Sequence, residues 1–275
     1  MTPRDVASLV DIHNHLVPGV DDGARSVEAV VDSVERMTRA GIRRIVTTPH
    51  LQGSLTLDRA RLADRLGEVG DAFERARSVL ASRFPEVQFL CGQEVLMDVP
   101  EIDFSDARLR LAGTTFVLVE WPRLQIPPGT ARVLERIRQA GYRPVVAHPE
   151  RYAGMQRQLG LAGHWRAVGA YLQVNYGSLV GRYGSEARAV AFRLLREGWV
   201  DYLASDFHGH PTLPIYRREA WATLEERNAR ETADVLSRAN PARLIEDMAP
   251  MPVPPVETHP HFLARLRGLL RRVNA

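Results

Sequence analysis

The chain carries Asp11-Ile12-His13-Asn14-His15 near its start. In an extended strand residues i and i+2 point to one side, so His13 and His15 present two imidazoles together, half of a metal site. Taken alone, a His-x-His pair is more often incidental. Shortly beyond it, Gly19-Val20-Asp21-Asp22-Gly23 reads as a turn that holds Asp22 near the histidines, or as plain turn chemistry. Further along, Thr48-Pro49-His50, Gly92-Gln93-Glu94, Val119-Glu120-Trp121, Ala147-His148-Pro149 and Ser205-Asp206-Phe207-His208 each close an apolar run with a metal-ligating side chain. Any one of these could be a strand-end carboxylate paired with an arginine, or a helix cap. The joint pattern is not explained that way. Five of the nine histidines (His13, His15, His50, His148, His208) stand at the ends of apolar runs, and four carboxylates (Asp22 from the turn, Glu94, Glu120, Asp206) join them. Gathered at one place as unpaired charges they would be severely destabilising, whereas around divalent cations they make sense. Nitrogen and oxygen donors without thiolate fit two or three ions of manganese, iron or zinc. Multinuclear sites of this kind hydrolyse phosphate esters, with hydroxide held between ions attacking in line. Arg151, three residues after His148, is the candidate clamp on the phosphoryl oxygens. Its plainer role is a salt bridge to Glu150 or another nearby carboxylate.

The elements that must position these groups are legible as seven short runs rich in β-branched or aromatic residues: 9–15, 44–50, 87–94, 116–120, 144–148, 171–175 and 202–206. Most precede a stretch of helical periodicity. In 26–40, Val27, Val30, Val31, Val34 and Met37 form one stripe and Gly41 stands at the expected stop. Stretches 58–83, 130–140, 185–197 and 217–238 read similarly. Strand alternating with helix means parallel pairing and an α/β fold. An open sheet would spread seven strand tips over roughly 30 Å, since strands lie ~4.8 Å apart. A barrel brings every carboxyl end to one mouth, which accounts for the polar strand ends better. The sequence therefore predicts a seven-stranded distorted (β/α) barrel over 1–248, a proline-rich linker over 249–260, and a basic amphipathic tail over 261–275 available for peripheral or partner contact.

Composition narrows the function from outside. With 275 residues, 45% hydrophobic and 25% charged, the chain has the make-up of a globular protein able to bury a sizeable core. All 36 basic residues are arginine, but 33 acidic residues nearly cancel them, so nucleic-acid binding is not implied. No apolar run approaches the ~20 residues of a membrane span, and no signal peptide is evident, which points to the cytoplasm. The single cysteine, Cys91, excludes an internal disulfide. No phosphate-cradling loop or arginine follows it, so it reads as a small buried hydrophobe and not a nucleophile. Met97, Trp121, Tyr152 and Tyr176 lie just past strand ends and read as loop packing.

Taken in order, Asp11-Ile-His-Asn-His, Gly19-Val-Asp-Asp-Gly, Thr48-Pro-His, Glu120-Trp-Pro, Ala147-His-Pro-Glu-Arg-Tyr, Asn175-Tyr-Gly-Ser-Leu-Val-Gly and Ala204-Ser-Asp-Phe-His resemble the polymerase-and-histidinol-phosphatase (PHP) superfamily. Within it the chain is most similar to the bacterial metal-dependent tyrosine phosphatases of the capsule-synthesis (CpsB/YwqE) type, from about residue 11 to about 247. That resemblance implies a distorted barrel holding three metals, commonly manganese. It implies one ion on His13, His15, Glu94 and Asp206, and a second sharing Glu94 and completed by Glu120 and His148. The third would sit on Asp22, His50 and His208, and Arg151 would bind phosphate. The implied substrate is phosphotyrosine on the tail of a bacterial tyrosine kinase that controls capsule or exopolysaccharide export. Small-molecule phosphates such as histidinol phosphate or a nucleotide, and a weakly catalytic phosphotyrosine-binding or kinase-binding scaffold, are the alternatives. Two departures stand out. Leu51 occupies the place of a second histidine, and the arginine usual a few residues past the last Asp-x-His is absent. His210, Arg217 and Arg218 are the candidates to replace it.

Overall fold

The structure is a computed structural model, and it describes residues 8–256. The predicted tail at 261–275 and the last residues of the predicted linker lie outside the described residues.

Helix starts and stops follow local chemistry. The Ser26 hydroxyl accepts from Ala29 N at 3.3 Å at the head of helix Val27–Arg39, and Asp58 accepts from Ala60 N and Arg61 N at 3.1 Å at the head of Arg59–Arg83. Val30, Val31, Val34 and Met37 are buried on the first helix as their spacing predicts. Gly41 turns the chain out of that helix at φ 90°, a conformation that costs glycine nothing. Helices Thr130–Gln139 and Gly184–Arg196 lie within a residue of their predicted bounds. The long helix predicted over 217–238 is broken instead. It ends at Glu225, passes through Asn228 at φ 55°, and resumes over Arg230–Asp234 and a π-turn, Val235–Ala239. Helix Gly160–Ala167 is additional to the predicted stretches, its apolar stripe being too short to show a period.

Among the described residues nine strand segments result: β1 (Leu9–Asp11), β2 (Ile42–Thr47), β3 (His50–Gln52), β4 (Gln88–Cys91), β5 (Glu94–Leu96), β6 (Phe116–Glu120), β7 (Arg143–Ala147), β8 (Tyr171–Asn175) and β9 (Tyr202–Ala204). All pairings are parallel, in two sheets ordered β1-β2-β4 and β3-β5-β6-β7-β8-β9. There are nine segments rather than seven because two runs are interrupted, at Thr48-Pro49 between β2 and β3 and at Gly92-Gln93 between β4 and β5. Proline offers no N–H to the ladder. At Gly92 a side chain would meet Arg110 O and Leu111 Cα at 2.9 Å. Backbone bonds still cross both breaks, from Gly92 N to Thr47 O at 2.9 Å and from Glu94 N to Pro49 O at 3.1 Å. At the other end, Asn14 bridges Phe207 in parallel, with Asp206 N on His13 O at 2.8 Å and His15 N on Phe207 O at 2.9 Å.

Side chains alternate between two buried faces, which explains why the strands read as nearly continuous apolar runs. Val117, Val119, Val146, Leu172, Val174 and Leu203 belong to the larger cluster, shared with the helices. Phe116 and Leu118, Val145 and Ala147, Tyr202 and Ala204 belong to a second cluster on the opposite face, closed off by Leu244. Two residues on from Leu118 and Ala204 come Glu120 and Asp206. One face is therefore apolar at the amino ends of the strands and acidic at the carboxyl ends. Residues 249–256 have no regular structure but are held down: Asn240 bonds both Met251 O and Met251 N, and Val256 N donates to Leu195 O at 3.0 Å.

Candidate metal centre

His13 and His15 leave β1 side by side, and their Nε2 atoms converge on Glu94 Oε2 at 3.2 and 3.3 Å and on Asp206 Oδ1 at 3.5 Å each. His13, His15 and Glu94 are at most 1% exposed. His148 Nε2 approaches the other oxygen of Glu94 at 3.1 Å and Glu120 at 3.7 Å. On the outer side, His50 Nδ1 lies 3.1 Å from Glu94, while His50 and His208 each lie 3.5 Å from Asp22. All nine residues expected from the sequence thus come together. Four overlapping groups have ligand atoms within 4.8 Å of one another: His15-Asp22-His50-His208, His13-His15-Glu94, His13-His148-Asp206 and His50-Glu94-Glu120. The first extends the predicted Asp22-His50-His208 set by His15.

The hydrogen bonds behind the imidazoles decide which nitrogen faces inward. The Asp206 carboxylate only accepts, so the group 2.8 Å from its Oδ2 is the amide nitrogen of Asn175. The Asn175 carbonyl in turn accepts from the Gln173 amide at 2.8 Å, leaving the Gln173 carbonyl to accept from His13 Nδ1 at 2.8 Å. This relay puts a proton on Nδ1 of His13 and turns Nε2 into the centre. His15 is fixed likewise by Asp21, whose Oδ2 lies 2.8 Å from its Nδ1. A carboxylate or amide behind a ligating histidine is the usual support of a bound metal. Among the described residues, His13 Nε2, His15 Nε2 and Glu94 Oε2 are buried atoms with no hydrogen-bond partner.

Electrostatics point the same way. Burial opposes charge on His13, but the Glu94 and Asp206 carboxylates outweigh it and push its pKa up to about 9. Burial likewise opposes charge on His15, and its contacts with Asp206, Asp21 and Glu94 carry it well above the ordinary range. Glu94 and Asp206, despite burial, are held far below the usual carboxylate range by those histidines. Burial and the nearby Glu94 charge push Glu120 up to about 7. The cluster therefore demands positive charge, which protons or metal ions can supply. Orphaned, converging nitrogen and oxygen donors fit divalent metal ions. Backbone strain marks the same place: His148 sits at φ 32° and Asp206 at φ 50°, conformations that cost about 1–3 kcal/mol each and turn both side chains into the cluster.

Arg151 follows on the turn after β7. It pairs with Asp206 at 2.6 Å, not with Glu150, and lies 4.3 Å from the centre of the Tyr183 ring. Glu150 instead accepts from Asn175 N and the Ser178 hydroxyl at 2.9 and 2.6 Å. None of the candidates for a second phosphate arginine contacts the centre. Arg217 lies over Trp221, Arg218 donates to Arg39 O, and His210 is exposed, with Thr212 at 3.0 Å from its ring. Met97, Trp121, Tyr152 and Tyr176 are core residues, at most 6% exposed. Sequence reasoning missed Asp21 and Gln173. Gln173 carried a signal, as a polar residue two before Asn175 on a buried strand, whereas Asp21 could not be told from its neighbour Asp22.

A family model for capsular polysaccharide synthesis, CpsB/CapC, matches residues 9–246. The tyrosine-protein phosphatase YwqE of Bacillus subtilis is 29% identical over 79% of this chain and 84% of its own length. The tyrosine-protein phosphatase CpsB of Streptococcus pneumoniae is 26% identical over 87% of this chain and 99% of its own. Among solved structures, one from work on YwqE and the pneumococcal CpsB, described as unique metal-dependent tyrosine phosphatases, superposes with a TM-score of 0.76 at 28% identity. It covers 90% of this chain and 99% of that one. An organophosphorus hydrolase variant from Deinococcus radiodurans shares the fold at a TM-score of 0.53 and 15% identity, over 88% and 94% of the two chains.

Proposed function

This chain belongs to the CpsB/CapC family of capsular polysaccharide synthesis, and we propose that it is a metal-dependent phosphatase of protein phosphotyrosine, acting in the cytoplasm on a bacterial tyrosine kinase tail. The observation that carries the reading is the trio of buried, unbonded atoms, His13 Nε2, His15 Nε2 and Glu94 Oε2, aimed at one point. We assign His13, His15, Glu94 and Asp206 to one ion, Glu94 with Glu120 and His148 to a second, and Asp22, His50 and His208 to a third, with manganese the preferred metal. On this reading the two sheets, joined across the Pro49 and Gly92 breaks and through the Asn14–Phe207 bridge, are parts of one distorted barrel of seven strand lines. The barrel is the catalytic unit over 1–248; of the predicted linker at 249–260, residues 249–256 are fastened to it, and the tail at 261–275 is the segment we assign to partner contact.

When bound, the ions would supply a hydroxide nucleophile at neutral pH and positive charge for the phosphoryl oxygens. The protein's own groups do the rest. Gln173 and Asp21 hold the His13 and His15 rings in their ligating tautomer. Arg151, 23% exposed on its side chain, has donors left beyond the one on Asp206 and turns them to the phosphoryl oxygens. Phenol, with a pKa of ~10, leaves more readily than an alkyl alcohol, so a site without a strong acid favours tyrosine.

The test is turnover of a phosphotyrosyl peptide and of para-nitrophenyl phosphate with manganese, before and after EDTA. Release abolished by EDTA and restored by manganese is expected. Faster turnover of histidinol phosphate than of the peptide would move the assignment to small molecules, and no release above a metal-only blank would leave a binding scaffold.

A further inference from the structure

Beside the metal centre lies a groove of about 570 Å³ that shares His50 and Glu120 with it. Its remaining walls are chiefly apolar, with Val20, Leu55 and Leu96 only half buried and therefore presenting uncovered hydrocarbon. Leu57, on the same 3-10 turn as Leu55, is 68% exposed. An enzyme that handled only the phosphoryl group would have no use for an apolar trough running into its charged cluster.

The trough is built rather than incidental. The turn Gly53–Leu57 is pinned to the loop after β5 by Ser54, whose N and hydroxyl bond the two oxygens of Asp98 at 2.8 and 2.6 Å. At Gly53 a side chain would collide with Leu96 O at 2.7 Å, so the turn bearing Leu55 packs directly on the strand bearing Leu96. Arg65, the arginine lining the groove, donates to Val20 O at 2.7 Å and to Glu68 at 3.3 Å. It fastens the Val20 loop as the third wall. Walls held in place before binding lose little entropy when a ligand enters.

Position in the sheet separates the two ends of a substrate. Most of the groove lies on or just after β3, β5 and β6, the first three strands of the six-stranded sheet, and Val20 and Asp21 join it from the loop after β1. Arg151 and Asp206 follow β7 and β9, and Asn175 ends β8, the last three strands. A phosphate ester whose phosphoryl group meets Arg151 has the opposite flank of the centre for its organic part. We propose that this groove is the leaving-group subsite: Val20, Leu55 and Leu96 pack against the ring of an aryl phosphate and select it over alkyl esters. A tyrosine ring holds its ester oxygen well away from the peptide backbone, whereas a phosphoserine methylene brings the peptide itself up to the centre. The assignment rests on the phosphatase reading above and adds to it the residues that choose the substrate.

The experiment compares Leu55→Gln, Leu96→Gln and the near-isosteric Val20→Thr in the manganese-loaded full chain. Substrates are a phosphotyrosyl peptide, para-nitrophenyl phosphate and a phosphoseryl peptide; phenylphosphonate and methylphosphonate serve as non-hydrolysable probes whose binding is measured by calorimetry. Each leucine variant is expected to lose about tenfold or more in kcat/KM on aryl esters, and Val20→Thr less. Phenylphosphonate binding should weaken in parallel, with phosphoserine turnover and methylphosphonate binding unchanged. Equal losses on aryl and alkyl compounds, or aryl preference surviving all three substitutions, would overturn the assignment while leaving the phosphatase reading intact. A wild-type protein that releases phosphate from no ester would overturn both.

Discussion

Replacing Gln173 by leucine tests whether the buried relay sets up a metal centre or merely fills the core. Leucine has nearly the same volume and leaves the strand apolar, but it removes two hydrogen bonds of 2.8 Å, one to His13 Nδ1 and one to Asn175 Oδ1. Nothing then fixes the tautomer of His13, and its Nε2 no longer faces the centre as an obligatory lone pair. Loss of such a partner behind a ligating histidine lowers metal affinity about 10- to 100-fold. Under saturating manganese, where stabilisation follows RT ln(1 + [L]/Kd), the variant should gain about 1.4–2.7 kcal/mol less from the metal than the wild type. For a chain of this size that is roughly 3–10 °C less metal-induced rise in Tm. The metal-free variant is also expected to be less stable, by about 1–3 kcal/mol for each group left unsatisfied. Comparing Tm with and without manganese separates that packing cost from the metal effect, and calorimetric titration gives affinity directly. An affinity equal to that of the wild type, with the same metal-induced rise, would refute the reasoning whatever happened to the metal-free protein.

Arg151→Ala should lower kcat/KM on para-nitrophenyl phosphate about 10²- to 10³-fold, the usual loss for one donor to a developing phosphoryl charge, while manganese affinity is kept; a loss confined to metal binding would make Arg151 only the partner of Asp206. Cys91 should be inert: burial pushes its thiol up to about 12, so at pH 8 only about one molecule in 10⁴ carries the reactive thiolate. Because the shift is upward, its alkylation rate should keep rising with pH towards 12 and never level off near 8.5, and modification should leave turnover intact. A rate plateau near neutral pH, or inactivation that tracks labelling, would count against this.

The residues themselves determined a good deal. The short continuous apolar runs that become β6 and β9 and the capped helices Val27–Arg39 and Arg59–Arg83 are local properties, written in side-chain type, spacing and cap chemistry. So is the placement of eight of the nine nitrogen and oxygen donors at the ends of apolar runs, since a strand's end is marked by where hydrocarbon stops, and of Asp22 in a glycine-bounded turn. What the tertiary structure alone decided are directions and partners. His13 faces inward because Gln173, 160 residues away, takes its other proton, and Arg151 pairs with Asp206 while its neighbour Glu150 is engaged by Asn175 N and the Ser178 hydroxyl. Asp21 backs His15 while Asp22 stays exposed, although the two are the same residue type one step apart. Arg217 is taken up by the Trp221 ring and Arg218 by Arg39 O, partners that the sequence does not announce. Hydrogen-bond choice depends on which groups meet after strands far apart in sequence lie side by side, and spacing along the chain carries no record of that meeting.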